Sequence, residues 1–314
     1  MSQAHVVVLG GTGFVGRHLV PRLAERGWPV TVLSRNRDRH RELWVLPKVR
    51  VENADPYQSA SLLPHLRGAA AAINLVGILN ERGRSGRGFK RAHVDLTACL
   101  IRACREAGVR RILQMSALNA GRGSSHYLRT RGEAEALVRD AGLEFTIFRP
   151  SVIFGRGDGL FFRFARLLRL LPVLPLARPG ARFQPVFVGD VAEAFCRALT
   201  DRGTVGATYE LGGPEVLTLA EIVRYTAREL GLRRLVVPLP DWAGRLQGLL
   251  FDFVPGKPFS SDNFRSLLLD SVVSEDGLER LGIAKTPISA VMPALLRGLG
   301  RQSELDRCRR LRPS

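Results

Sequence analysis

The chain has 314 residues, 45% of them hydrophobic, with a mean hydropathy of +0.01, which is ordinary for a globular protein able to bury a full core. Lys and Arg number 47 against 29 Asp and Glu, a formal charge of +18 that draws anionic surfaces or partners, yet no helix-turn-helix, zinc-finger or RNP-like pattern accompanies it, so nucleic acid is not the expected ligand. The longest apolar runs, 69–79 and 167–177, fall short of the roughly 20 residues of a membrane-spanning helix, and Cys99, Cys104, Cys196 and Cys308 form no CxxC pair or metal-spaced cluster, so no metal is expected.

Met1 to Gln3 run straight into Val6-Val7-Val8-Leu9 without a charged n-region and apolar h-region, so a cytoplasmic location is expected. The β-branched run lacks polar interruption, as in a parallel strand covered on both faces, and Phe14, Val15, Leu19, Val20 and Leu23 then recur at helical spacing. The period changes within Gly10-Gly11-Thr12-Gly13-Phe14-Val15-Gly16. A side chain at Gly10 would obstruct the turn, at Gly13 it would keep N–H groups away from a pyrophosphate, and at Gly16 it would hold the helix off the strand. The helix N-terminus offers unpaired donors and a positive dipole end. Strand before and helix after supply the context that a lone glycine trio lacks, and a dinucleotide is the expected ligand.

Residues 29–33 make the second strand, and Ser34 and Arg35 follow where such folds choose their cofactor. A carboxylate there would bind a free ribose 2′-hydroxyl and repel a 2′-phosphate; neutral Ser34 and the cations Arg35, Arg37 and Arg39 favour NADP(H), the alternative being an exposed basic loop. A third strand, 49–52, delivers Asp55 as an acceptor for the adenine amino group. A buried fourth strand, 69–76, delivers Leu75, Val76 and Gly77, whose missing side chain lets the backbone pass close to a ribose. Helices are expected at 61–66 and 89–107, a polar loop at 81–88 over the cofactor edge, and a fifth strand at 109–115. Ser116 ends that strand. Tyr127 and Arg131, four residues apart, share one face of the next helix. Ser116, Tyr127 and Arg131 form a candidate reaction centre: a phenolic acid, a hydroxyl to polarise a carbonyl, and a cation beside the phenol. The plainer reading is a surface tyrosine with an arginine neighbour.

A sixth strand, 145–150, ends at Pro150 and Ser151, which would face the nicotinamide side of the crevice. Residues 155–159 read as a flexible connection. An apolar helix follows at 160–171, where Leu160, Phe161, Phe162, Phe164, Leu167, Leu168, Leu170 and Leu171 accompany a stripe of Arg163, Arg166 and Arg169. Such a helix suits an anionic membrane surface; it equally suits a lobe helix packed on the core with solvated arginines. Residues 185–199 return to the core, 208–211 add a strand, and Thr218 with Glu221 makes a capping box. Lobe elements are expected at 242–253, 262–269 and 288–299, before a frayed basic tail at 301–314. The fold class is α/β: a Rossmann-type doubly wound parallel sheet over 1–155, completed by 183–212, with a smaller lobe over 156–182 and 213–300.

The glycine pattern, Asp55, Ser116, the Tyr127 helix and Arg149-Pro150-Ser151 together resemble an extended or atypical short-chain dehydrogenase/reductase over nearly the whole chain. Ile73-Asn74-Leu75-Val76-Gly77-Ile78-Leu79, Met115-Ser116-Ala117-Leu118-Asn119-Ala120, Tyr127-Leu128-Arg129, Phe183-Gln184-Pro185-Val186 and Val188-Gly189-Asp190-Val191-Ala192 narrow the likeness. They are similar to the NADPH-binding accessory subunits of respiratory complex I (alpha-subcomplex subunit nine) and their bacterial relatives. The resemblance implies tightly held NADPH and a structural role near the membrane arm, with some relatives linked to ubiquinone biosynthesis. Gly10, Gly13, Gly16 and Arg35 match its pattern. The reductase Tyr-x-x-x-Lys motif departs from it, reading Tyr127-Leu128-Arg129-Thr130-Arg131. Arginine keeps its proton and binds as a planar fork, so a ribose contact survives while a proton relay through an ammonium does not. The expectation is an NADP(H)-binding protein that serves respiratory or quinone-biosynthesis proteins, peripheral on the inner face of the cytoplasmic membrane. An active NADPH-dependent reductase or epimerase on a hydrophobic substrate is the alternative.

Overall fold

The structure, a computed structural model, describes residues 4–254, 257 and 259–298. Seven parallel strands lie in the order Ala207–Leu211, β6 (Glu144–Pro150), β5 (Arg111–Met115), β4 (Ala69–Asn74), β1 (His5–Leu9), β2 (Val30–Ser34), β3 (Val49–Asn53). The chain reverses its direction of travel between β1 and β4, and a crevice opens outside the carboxyl ends at such a point. The uninterrupted valines of β1 are explained by the two layers they meet. Val6 and Val8 pack with Leu19, Val20 and Phe195 on one face, while Val7 and Leu9 pack with Leu62, Leu100 and Val138 on the other. Both faces are dry, as the doubly wound reading requires.

Three local expectations are corrected. The fourth strand stops at Asn74, because the buried Asn74 amide donates to Thr97 Oγ1 and Gln114 Oε1 while its carbonyl accepts the Val76 N–H; residues 75–77 are thereby freed to line the crevice. The helix expected over 89–107 is three pieces, a turn at Arg87–Lys90, a π-turn at Arg91–Asp95 and a helix at Leu96–Ala107. Residues 155–159 are a defined turn, with Gly155 and Gly157 at positive φ and the buried Asp158 carboxylate accepting the Leu160 and Phe161 N–H groups.

The helix expected at 160–171 spans Phe161–Leu170 and turns Phe161, Ala165 and Leu168 into the lobe core against Ile222, Val223 and Met292. Its apolar face is therefore committed to packing, and only Leu170 and Leu171 remain well exposed. Arg163 leaves the expected stripe to line a cavity, while Arg166 and Arg169 face outward. No helix among the described residues is long and apolar enough to cross a membrane. The lobe adds a parallel pair, Val173–Ala177 with Leu235–Leu239, and an antiparallel pair, Arg182–Phe183 with Leu217–Thr218. The capping box at Thr218 is present, and so are helices Asp241–Phe251, Ser261–Ser266 and Ile288–Arg297. The expected lobe segment 213–300 is not all lobe: Leu278, Leu281 and Ile283 return to the sheet beside Phe195, Tyr209 and Leu211. Cys99, Cys104 and Cys196 are buried free thiols; the expected tail 301–314, with Cys308, lies outside the described residues.

Candidate functional site

The glycine turn is fixed by contacts that leave no room for side chains. Gly10 sits at φ +76°, and a Cβ there would come within 3.0 Å of the Leu75 and Val76 backbone; one on Gly16 would lie 2.4 Å from the backbone of Gly11. Gly16 thus packs on the turn itself rather than on the strand. A Cβ on Gly13 would meet only the Gly10 carbonyl, at 3.2 Å, so its other side is open to a ligand. The helix that follows, Gly16–Glu25, has no side-chain cap and no acid in its first turn. Its leading N–H groups and dipole suit a pyrophosphate.

A cavity of about 1210 Å³ runs from this turn into the lobe. It brings together Thr12, Gly13, Phe14, Val15, Ser34, Arg35, Leu75, Val76, Gly77, Ser116, Tyr127, Arg131, Pro150 and Ser151, with Gly10 and Gly16 at its floor. Asp55 is left out. Its two carboxylate oxygens accept the Tyr57 N–H and the Gln58 side-chain amide, closing a local turn, and Ala54, Pro56 and Tyr57 line the adenine side in its place. Of the three cations after β2, Arg35 and Arg39 line the cavity, whereas Arg37 lies 3.8 Å from Glu52 and 3.9 Å from Asp38.

Arg131 replaces an ammonium with a buried, anchored fork. Its Nη1 donates to the Met115 carbonyl at 3.0 Å and the Val76 carbonyl at 3.3 Å, and its guanidinium lies 5.5 Å from the Tyr127 ring centre. Its Nε is buried without a hydrogen-bond partner. A Cβ on Gly77 would sit 1.9 Å from Nη2; Gly77 makes room for this arginine, a reason different from the ribose approach read in the sequence.

Behind Tyr127 lies a residue the sequence pattern concealed. His93, on the π-turn, accepts the Ile78 N–H at Nε2 (3.3 Å), which leaves Nδ1–H to donate to Thr130 Oγ1 (2.8 Å); Thr130 in turn donates to the His126 carbonyl. Burial first and the Arg131 charge second push the His93 imidazole down to about 2, so it stays neutral. Its ring stands edge-on to Tyr127 at 5.6 Å. Nothing in a helical apolar pattern distinguishes an inward π-turn histidine from a helix histidine. Asp262 was hidden too, because it comes from the lobe: its carboxylate accepts the His126 and Tyr127 N–H groups at 2.7 and 3.1 Å, capping the helix His126–Arg139, and Ser125 Oγ accepts from Leu128.

Ser151 has a prior engagement, whereas the buried Ser116 hydroxyl has no hydrogen-bond partner among the described residues. Burial works against a charge on Glu135, but Arg149 and Arg139 outweigh it and hold that carboxyl below its ordinary range. The Ser151 hydroxyl donates to the Ser271 carbonyl at 2.6 Å. The lobe half of the cavity is apolar, with Leu160, Phe164, Leu167, Leu176 and Phe251 on its walls and Arg163 among them. A cavity of this size exceeds the roughly 300–1,000 Å³ of most single-ligand pockets, so a dinucleotide leaves room for a second, apolar molecule. The open glycine cradle, the uncapped helix and the unpartnered Arg131 Nε together fit a nicotinamide dinucleotide.

The comparisons with known proteins agree with that geometry. The model of an NAD(P)H-binding family matches residues 10–159. The chain is 34% identical to NADH dehydrogenase (ubiquinone) 1 alpha subcomplex subunit 9 of Arabidopsis thaliana, over 89% of this chain and 73% of that protein. It is 32% identical to a ceramide reductase of Caulobacter vibrioides, over 80% and 78% of the two chains. The dTDP-glucose 4,6-dehydratase DesIV of Streptomyces venezuelae, solved with NAD bound, shares the fold at a TM-score of 0.73 and 22% identity, covering 93% of this chain and 96% of that one. The chain belongs to the NAD(P)H-binding family of extended short-chain dehydrogenase/reductase fold that includes the alpha subcomplex subunit 9 of NADH dehydrogenase (ubiquinone).

Proposed function

We propose that the protein holds NADPH as a resident ligand in the service of a respiratory or quinone-linked assembly at the inner face of the cytoplasmic membrane, without rapid turnover. The observation that carries this reading is the anchoring of Arg131 to two main-chain carbonyls, at the place where the reductase Tyr-x-x-x-Lys motif has an ammonium. A bound nicotinamide supplies a hydride donor. The chain's own residues supply a cradle for its phosphates at Gly10 to Gly16, a cation at Arg35 for a 2′-phosphate, and a fixed floor at Arg131. They do not supply a proton relay through that floor. The relative from Arabidopsis, named as a subunit of NADH dehydrogenase, supports the respiratory assignment.

Purified protein should bind NADPH stoichiometrically and consume it feebly with ketone or quinone acceptors, and Arg131→Lys should raise that feeble rate. Reduction of a carbonyl substrate by the wild type at ordinary rates of about 1–10³ per second would overturn the reading. It would favour instead an NADPH-dependent reductase acting on a hydrophobic substrate. The apolar lobe half of the cavity and the ceramide reductase relative support that second reading.

Cofactor choice is a separate expectation. With Ser34 ending β2, Arg35 following it and no carboxylate at either position, NADPH should bind at least about tenfold tighter than NADH, about 1.4 kcal/mol. Titration by nicotinamide fluorescence checks it. Equal affinities, or a preference unmoved by Arg35→Asp, would assign the phosphate to another residue.

A further inference from the structure

The helix Asp241–Phe251 packs with the wrong side for a soluble lobe. Its buried residues are Gly244 and Gly248: a Cβ on Gly244 would lie 2.9 Å from Ala177 and Phe264, and one on Gly248 would lie 3.1 Å from Ser261. The large apolar side chains point the other way. Trp242, Leu246, Leu249 and Leu250, spaced at i, i+4, i+7 and i+8, form one face that continues into Phe253, and all are exposed, Trp242 by 71% and Phe253 by 76%. An apolar face of this kind is a contact surface rather than a scattering of single residues.

The rim of this face is cationic because its acids are turned inward or paired: the exposed Asp241 that opens the helix accepts from Arg178. In the loop 81–88, the buried Glu81 carboxylate accepts the Gly86 and Gly88 N–H groups, which leaves Arg82, Arg84 and Arg87 outward. Arg84 lies 5.6 Å from the Phe253 ring centre, and Lys257 ties the loop to the helix end through the Gly83 carbonyl. Between 242 and 254 the single acid is Asp252, which is buried and held by Ser261, Arg84 and Lys257, while Arg245 is exposed. Two occupants from this chain itself are poor fits. A second copy brings another +18 of charge, and residues 301–314 carry five arginines and two leucines against the same cationic rim.

We infer that this face docks on an anionic lipid bilayer, with Trp242, Leu246, Leu250 and Phe253 in the interface and the 81–88 arginines on lipid phosphates. It deepens the membrane placement proposed above and moves it from the 160–171 helix to this one. It does not depend on what the dinucleotide does. Phe251, the last residue of this helix, lines the cavity, so the helix that carries the docking face also walls the lobe half of the site.

The test is flotation of the full chain, loaded with NADPH, on vesicles of phosphatidylcholine alone and of equal parts phosphatidylcholine and phosphatidylglycerol. Binding should occur on the mixed vesicles only and should weaken about tenfold or more in Leu246→Ser/Leu250→Ser/Phe253→Ser and in Arg82→Gln/Arg84→Gln/Arg87→Gln. These side chains lie outside the dinucleotide site, so unchanged NADPH titration certifies both variants as folded and separates a docking failure from a failure of the cofactor reading. Wild type that floats with neither vesicle overturns the inference. So does an apolar triple variant that floats as well as wild type, which would mean that charge alone acts. Conversion of a wild-type dimer to monomer by the apolar variant, without vesicle binding, would assign the face to a second copy and overturn it equally.

Discussion

A methyl group on Gly77 would lie 1.9 Å from Arg131 Nη2 and 2.9 Å from its Cζ. A surface arginine would swing aside, but this one is buried and bonded to the Met115 and Val76 carbonyls. Gly77→Ala should therefore destabilise the protein by about 1–3 kcal/mol, as overpacking does, and weaken NADPH binding with it. Thermal unfolding of the double variant Gly77→Ala/Arg131→Ala is the check, because removing the obstructed group should return most of the loss. Additive losses would mean that Gly77 is needed for its backbone, not for the arginine. The position was legible in the sequence and its reason was not, since the contact comes from a side chain 54 residues further on. Gly10 was legible in part: its positive φ belongs to the local turn, whereas the Leu75 and Val76 backbone against it comes from another strand's end. Asp55 misled for the complementary reason: a carboxylate at a strand end is also a good turn-former, and the nearby Tyr57 and Gln58 claimed it.

The π-turn Arg91–Asp95 exists to aim one side chain. A continuous α-helix would put His93 elsewhere on its surface; the extra residue in the turn sends it inward to Ile78 and Thr130, beneath Tyr127. The folded protein keeps His93 neutral down to about pH 2, whereas the unfolded chain protonates near 6.5. Its contribution to stability is thus complete above pH 6.5 and falls as the pH drops below that value, by up to about 1.4 kcal/mol per pH unit. Asp158 runs the other way. Burial pushes its carboxyl up to about 6, so its share is present at low pH and is lost as the pH rises from about 3.8 towards 6. Comparing wild type with His93→Gln isolates the histidine, since Asp158 is common to both. The wild type should lose more stability between pH 7 and pH 4 than the variant does, as followed by denaturant midpoints; parallel profiles would show that His93 is accessible to protons in the folded state. Strands and helix positions were readable here from periodicity. The π-turn was not, because one added residue changes no composition and no average period.

At the scale of the molecule, the lobe and the sheet are less separable than a sequence division at residue 212 implies. The chain leaves the sheet after Leu211, builds the lobe, and then returns Leu278, Leu281 and Ile283 to cover Phe195, Tyr209 and Leu211. On the way it gives Asp262 to the Tyr127 helix, the Ser271 carbonyl to Ser151, and Thr286 to the buried Asp190, whose carboxyl burial holds above its usual range. The expected lobe elements took in Asp262 but left Ser271, Leu278, Leu281, Ile283 and Thr286 between them, because the side of the molecule these residues serve is set by a chain reversal that leaves no local signal. Three aliphatic side chains at about 1.5–3 kcal/mol each approach the 5–15 kcal/mol that stabilises a whole domain, before the lost cap and the orphaned Asp190 are counted. A fragment of residues 1–212 contains every strand of the sheet and the entire glycine turn, so by sequence alone it should fold and bind. By energy it should not: it should lack a cooperative thermal transition and bind NADPH far more weakly than the full chain, which should unfold in one step. Calorimetry of the two proteins decides between these views, and a fragment with its own sharp transition and full NADPH affinity would make the lobe a dispensable addition.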